Sequence, residues 1–179
     1  MKLEKFIVYA CPTGELFEQI EVYYHRSKTA CGQNLAHQYM PHCSLTGFFE
    51  APVDEMPIYL EALQQAYQQA KQQNIPLSIQ ILGMTFKPDW HGLELEGIGI
   101  QKIITDFIQK VEKSYVEVQL RPKNWLHLSL AYGFKLQHSQ ALKQLAQQSV
   151  NPQTPTAWEL RFYQRHFNGQ WTCHSNTLL

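Results

Sequence analysis

At 179 residues the chain is long enough for one compact domain or two small lobes, and 44% hydrophobic residues with 12% aromatics supply a sizeable core. Fifteen basic and fifteen acidic side chains cancel to a net charge of zero. This excludes a broad basic face for tracking a nucleic-acid backbone, while leaving open a small nucleotide or an RNA end as substrate.

Phe6 to Ala10 reads as a first strand, closed by Pro12. Residues 13–39 hold a helical pattern on Leu16, Ile20, Tyr23 and Tyr24, with Thr13 as N-cap and Glu15 in the first turn. The polar stretch His25 to Gln33, which contains Gly32, reads as a loop or a broken helix. Tyr39 to Phe49 is apolar-rich and alternating, bounded by Pro41 and Pro52, and reads as a strand. From Asp54 to Asn74 the pattern is helical, with Leu60, Leu63, Tyr67 and Ala70 at spacings of three and four and glutamines on the other faces.

Pro76 to Phe86 and Gly92 to Ile98 read as a strand pair with a turn over Lys87 to His91. Ile100 to Tyr115 is a second helix, striped by Ile103, Ile104, Phe107, Ile108 and Val111. Val116 to Leu120 is a short strand candidate, Trp125 to Phe134 a stronger one, and Gln137 to Ser149 a helix through Leu142 and Leu145. Asn168-Gly169 between Trp158–His166 and Trp171–Leu178 signals a closing hairpin. Helices and frequently adjacent strands give an α+β chain rather than a regular βαβ alternation, and no linker divides residues 1–179 into separate domains.

The cysteines, Cys11, Cys31, Cys43 and Cys173, make no C-x-x-C pair and no zinc spacing, so no metal is expected. The apolar run near the N-terminus is too short for a signal segment and no stretch reaches membrane length. Buried thiols in a reduced cytoplasm are the expectation, with no membrane partner.

Two strands carry the chemistry. The first reads His42-Cys43-Ser44-Leu45 and ends at Phe49; the second reads His127-Leu128-Ser129-Leu130 and ends at Phe134. With eight histidines, roughly one His-x-Ser/Thr arises by chance. The third copy, His25-Arg26-Ser27, lies in a polar stretch without strand pattern and is that accident. The other two share an apolar strand, a Ser-Leu continuation and a Phe seven residues after His. By the strand period of two, His42, Ser44 and Thr46 face one side and Cys43 and Leu45 the other. His127, Ser129 and Ala131 likewise oppose Leu128 and Leu130. If the strands are neighbours about an approximate twofold, two imidazoles and two hydroxyls meet in one cleft. One His can deprotonate water and the other protonate a departing oxygen, since a pKa of about 6.5 keeps both forms accessible. The hydroxyls can hydrogen-bond the phosphoryl oxygens where charge gathers.

These paired His-x-Ser-Leu strands resemble the two-histidine (2H) phosphoesterase superfamily, which includes 2′,3′-cyclic nucleotide phosphodiesterases and bacterial RNA 2′,5′-ligase-like proteins. The resemblance runs over the whole chain in the order of elements. It implies two pseudo-symmetric lobes, each a small antiparallel sheet with outer helices, and an active site in the central groove. It further implies His42 and His127 as the catalytic pair, with Ser44 and Ser129 binding phosphate and no cofactor. His127 is assigned provisionally as base and His42 as acid, although the internal symmetry leaves this open. The chain departs from many members in using Ser twice and in lacking a basic residue just after either motif.

Tyr132, five past His127, matches an aromatic found after the second motif in cyclic phosphodiesterases; it serves phosphate or base, or fills the core edge. Tyr39 and Trp125 precede their histidines and are candidates to stack on a nucleobase, or to be rim. Arg26 and Lys123 are candidate positive charges. His91, His166 and His174 carry no assigned role. The implied substrate is a 2′,3′-cyclic phosphate on a nucleotide or RNA end, acted on by a monomer. The alternatives are RNA 2′,5′-ligation, 3′-end trimming, and a non-catalytic nucleotide- or RNA-binding module.

Overall fold

The computed structural model describes residues 3–114 and 118–179. Its elements are β1 (Leu3–Pro12), α1 (Glu15–Cys31), β2 (Cys43–Ser44), β3 (Phe49–Pro52), α2 (Met56–Gln72), β4 (Gln80–Phe86) and β5 (Trp90–Glu96), followed by α3 (Ile98–Glu112), β6 (His127–Tyr132), α4 (Ser139–Ser149), β7 (Trp158–Arg165) and β8 (Trp171–Leu178). All eight strands join one antiparallel sheet in the order β4-β5-β6-β2-β1-β7-β8, with β3 also on β1. The expected α+β architecture is thus present. Its two halves, β4-β5-β6 and β2-β1-β7-β8, meet where β2 pairs with β6 at Cys43↔Leu128.

Strand alternation decides what each face does. On β1, Phe6, Val8 and Ala10 join the main core, while Ile7, Tyr9 and Cys11 pack a smaller cluster with Tyr163 on the opposite face. The main core gathers residues from all four helices, among them Ile20 of α1, Leu63 of α2, Phe107 of α3 and Ala146 of α4. All four helices therefore pack against one core on the sheet. In α2 the buried residues are Tyr59, Ala62, Leu63, Ala66, Tyr67 and Ala70. The glutamines of that helix are the solvated face the pattern predicts. Cys11 and Cys43 are buried, and all four cysteines are free thiols. No helix among the described residues is long and apolar enough to cross a membrane.

Three local expectations need correction. The helix α1 does not break at His25 but runs to Cys31. Its polar residues find partners outside the helix: Arg26 donates to Ser149 Oγ and Gln148 Oε1, and the buried Ser27 Oγ contacts His37 Nε2 at 3.0 Å. Thr13 is not its N-cap. Gly14 holds that position at φ 66°, and the Thr13 hydroxyl donates to the Ala157 carbonyl instead. The expected strand 39–49 is divided. Leu45 N and Thr46 N both reach the Val8 carbonyl, so two residues are inserted between the β1–β2 and β1–β3 registers. The displaced segment attaches to residues 121–123 through Gly47 N to Arg121 O and Lys123 N to Leu45 O. Of the short strand expected at Val116 to Leu120, residues 116 and 117 lie outside the described residues, and 118–120 are irregular.

Candidate active site

Because β2 and β6 are antiparallel with Cys43 opposite Leu128, the same count sets His42 opposite Ser129 and Ser44 opposite His127. A twofold through that pair relates the motifs. Cys43, Leu45, Leu128 and Leu130 point into the main core. His42, Ser44, His127 and Ser129 line one cavity of about 260 Å³ with Tyr24, Ala36, Tyr39, Trp90 and Tyr132. Thr46, expected on the same face, is spent elsewhere: buried in the bulge, its hydroxyl accepts the Val8 N–H at 3.1 Å.

The two imidazoles are held in the same way. His42 Nδ1 lies 2.7 Å from the Met40 carbonyl, and His127 Nδ1 lies 3.2 Å from the Trp125 carbonyl, in each case two residues back. A carbonyl oxygen only accepts, so Nδ1 carries the proton in both rings. When the ring is neutral, Nε2 is then a bare lone pair. Each ring also rests on an aromatic neighbour at a centroid distance of 3.9 Å, Tyr9 under His42 and Trp125 under His127. Trp90 meets His127 edge-on at 5.3 Å.

Burial depresses both imidazoles. It pushes His42 down to about 4, with the charge of His127 adding to the effect and the Met40 carbonyl opposing it. His127 also falls below its ordinary value through burial; Lys123 and Lys87 add to the shift, while the Trp125 carbonyl and Glu94 oppose it. Both are therefore neutral, and so bases, at neutral pH.

The serines differ in their surroundings. Trp90 donates its indole N–H to Ser129 Oγ at 2.9 Å, which leaves the Ser129 hydrogen to be donated into the cavity. The Tyr24 hydroxyl donates to the Ser129 carbonyl at 2.9 Å and fixes that strand from the helix side. Burial raises the Tyr132 phenol, so it stands as a neutral donor on the cavity wall. Tyr39 lies 5.6 Å from His42. Trp125 stacks on His127 on one side and has the Lys87 ammonium 4.2 Å from its ring centroid, so its ring is already engaged.

Of the secondary candidates, Tyr39 and Tyr132 line the cavity and Trp125 backs a histidine. Lys123 acts on His127 only through its field. Arg26 is committed to α4. Tyr9, Tyr24 and Trp90 were missed, because they come from β1, α1 and β5. Trp90 had one available signal: alternation from Gly92 back places it on a strand. His91, the next residue, faces away, with Nε2 at 3.2 Å from Ser139 Oγ. Among the described residues no group of three or more His, Cys, Asp or Glu is placed to hold a metal ion.

No family model matches the chain. Curated relatives do, among them ecdysteroid-phosphate phosphatase of Bombyx mori, 31% identical over 90% of this chain and 24% of its own length, and human ubiquitin-associated and SH3 domain-containing protein B, 31% identical over 80% of this chain and 22% of its own. The chain thus spans about a quarter of the curated relatives it matches. Among solved structures, Escherichia coli LigT complexed with 3′-AMP covers 99% of both chains at a TM-score of 0.54 and 16% identity. The fold that the paired strands implied is the one observed: over its whole length the chain has the fold of LigT.

Proposed function

We propose that the chain hydrolyses 2′,3′-cyclic phosphates of nucleotides or RNA ends, without a metal, through His42 and His127. One observation carries the reading: two imidazoles with Nδ1 tied to main chain share a cavity with two serine hydroxyls about a local twofold. At about 260 Å³ the cavity is near the small end of ligand clefts (about 300–1,000 Å³), with room for a phosphate and its ribose. The LigT complex with 3′-AMP, a nucleoside 3′-phosphate of the kind such hydrolysis yields, supports a nucleotide in this groove.

His42, the more strongly depressed of the two, takes the proton of water at Nε2 as the new O–P bond forms. His127 becomes protonated when the anionic phosphate enters beside it, and it delivers that proton to the ribose oxygen as the old P–O bond breaks. This proposal gives the two histidines the opposite roles from the provisional reading of the sequence, on the deeper burial of His42. Ser44, Ser129 and Tyr132 donate to the non-bridging oxygens. The product is a phosphomonoester, with the two imidazoles having exchanged protonation states.

The test is incubation with 2′,3′-cyclic nucleotides in EDTA and chromatographic resolution of 2′- and 3′-monophosphates. Turnover undiminished by the chelator is expected. Loss of turnover in EDTA with recovery on adding a divalent ion contradicts the metal-free reading, and turnover of phosphomonoesters alone would favour the activity named for the Bombyx mori relative.

A further inference from the structure

Beside His42 the cavity opens onto a surface that the hydrolysis does not use. Register fixes its composition. Lys5, Ile7, Tyr9 and Cys11 of β1 stand opposite Arg165, Tyr163, Arg161 and Glu159 of β7, so these eight side chains share the face that carries the His42–Tyr9 stack. Trp171 of β8 extends it, opposite Arg165.

The two arginines on this face are not equivalent. Arg161 is neutralised, with Nε 2.8 Å from Glu159 and Nη1 3.0 Å from the Tyr163 hydroxyl. Arg165 has no carboxylate beside it among the described residues. Its guanidinium is instead ringed by Tyr39 at 5.5 Å, Trp171 at 5.5 Å and Phe48 at 6.0 Å, and its one hydrogen bond among the described residues is a long 3.5 Å bond to the Tyr39 hydroxyl. Most of its five N–H donors are left for a ligand, in a planar fork that matches a phosphodiester. Phe48 is 42% exposed, and Tyr39 lines the catalytic cavity, so the rings run continuously from the histidine out to solvent.

We propose that Arg165, Trp171, Phe48 and Tyr39 form a subsite for a second nucleotide, its phosphate on Arg165 and its base against the rings. The preferred substrate is then a cyclic phosphate that ends an oligonucleotide, rather than a free cyclic mononucleotide. This deepens the phosphodiesterase reading and rests on it. The zero net charge is no obstacle, because one unpaired guanidinium serves one extra phosphate and no long track is implied. The far side offers no equal: there Lys87 lies over Trp90 and Trp125 and is also 3.9 Å from Glu94.

Two measurements on the full chain separate this proposal from the reading beneath it. The first is kcat/KM for a cyclic-phosphate-ended dinucleotide against the cyclic mononucleotide. The second is tryptophan-fluorescence titration with the corresponding dinucleotide and mononucleotide 3′-phosphates, which needs no turnover. Wild-type protein is expected to favour the dinucleotide about tenfold or more in both. Arg165→Ala and Trp171→Ala should lower the dinucleotide values about tenfold more than the mononucleotide values. Arg165→Lys should restore only part of the preference, since it keeps charge without the fork. Equal values for the two lengths in wild type, or equal losses in the variants, overturn the subsite. Turnover of neither compound overturns the phosphodiesterase reading, while the binding ratio still judges the subsite.

Discussion

Removing either imidazole from the site should leave a folded protein that barely turns over. His42→Ala and His127→Ala are each expected to lower kcat by about 10²–10⁴ with an unchanged circular dichroism spectrum. The serines should part company. Ser129→Ala deprives the Trp90 indole, buried at 8% exposure, of its acceptor, and should cost about 1–3 kcal/mol in urea denaturation as well as activity. Ser44→Ala should lower kcat alone. The pH profile follows from the depressed imidazoles: kcat/KM falls below about 4 as His42 gains its proton, and falls again as rising pH strips His127. Since both lie under 6.5, the optimum belongs on the acid side of that value. A maximum above pH 8 would contradict the pairing. The four motif residues were legible because a strand repeats every two residues. Tyr9 and Trp90 were not, since nothing along the chain says which ring another strand will lay beside His42 or Ser129.

At the scale of elements α2 and α3 were legible, while the length of α1 and the central strand were not. The stripes of α2 and α3 specify a buried face without reference to any partner. The segment after Ser44 alternates like a strand, yet it bulges, because Val8 offers one carbonyl to two amides and residues 121–123 offer a competing edge. A sequence does not display such competition between distant segments. The pairing that matters most for the site is β5 on β6, and Gly92 permits it: a Cβ there would lie 2.3 Å from the Leu128 carbonyl oxygen and 2.4 Å from the Trp90 ring. Gly92→Ala should therefore cost about 1–3 kcal/mol and lower kcat together, by shifting Trp90 against Ser129 and His127. A variant of wild-type stability and activity would show that β5 does not hold the site.

Across the whole molecule, the two halves meet at the β2–β6 pair that carries the histidines, so site and global stability are linked. His42 binds a proton near 6.5 when unfolded but only near 4 when folded. Between those values the unfolded state holds more protons, so stability is full above about 6.5 and declines as pH falls towards 4, by up to about 3 kcal/mol from this group. Urea midpoints measured across that range should fall less steeply in His42→Ala than in wild type. The fold class was legible from element order, but the single continuous sheet was not, because the sequence shows two similar strands without showing that they pair.

The most direct test of the central claim is kcat for a 2′,3′-cyclic nucleotide, in EDTA, for His42→Ala, His127→Ala and the double variant. Groups that act as one proton-transfer unit lose function together, so the double variant should be no slower than either single one within a few-fold. Losses that multiply, or activity retained in either single variant, would contradict a paired-histidine site.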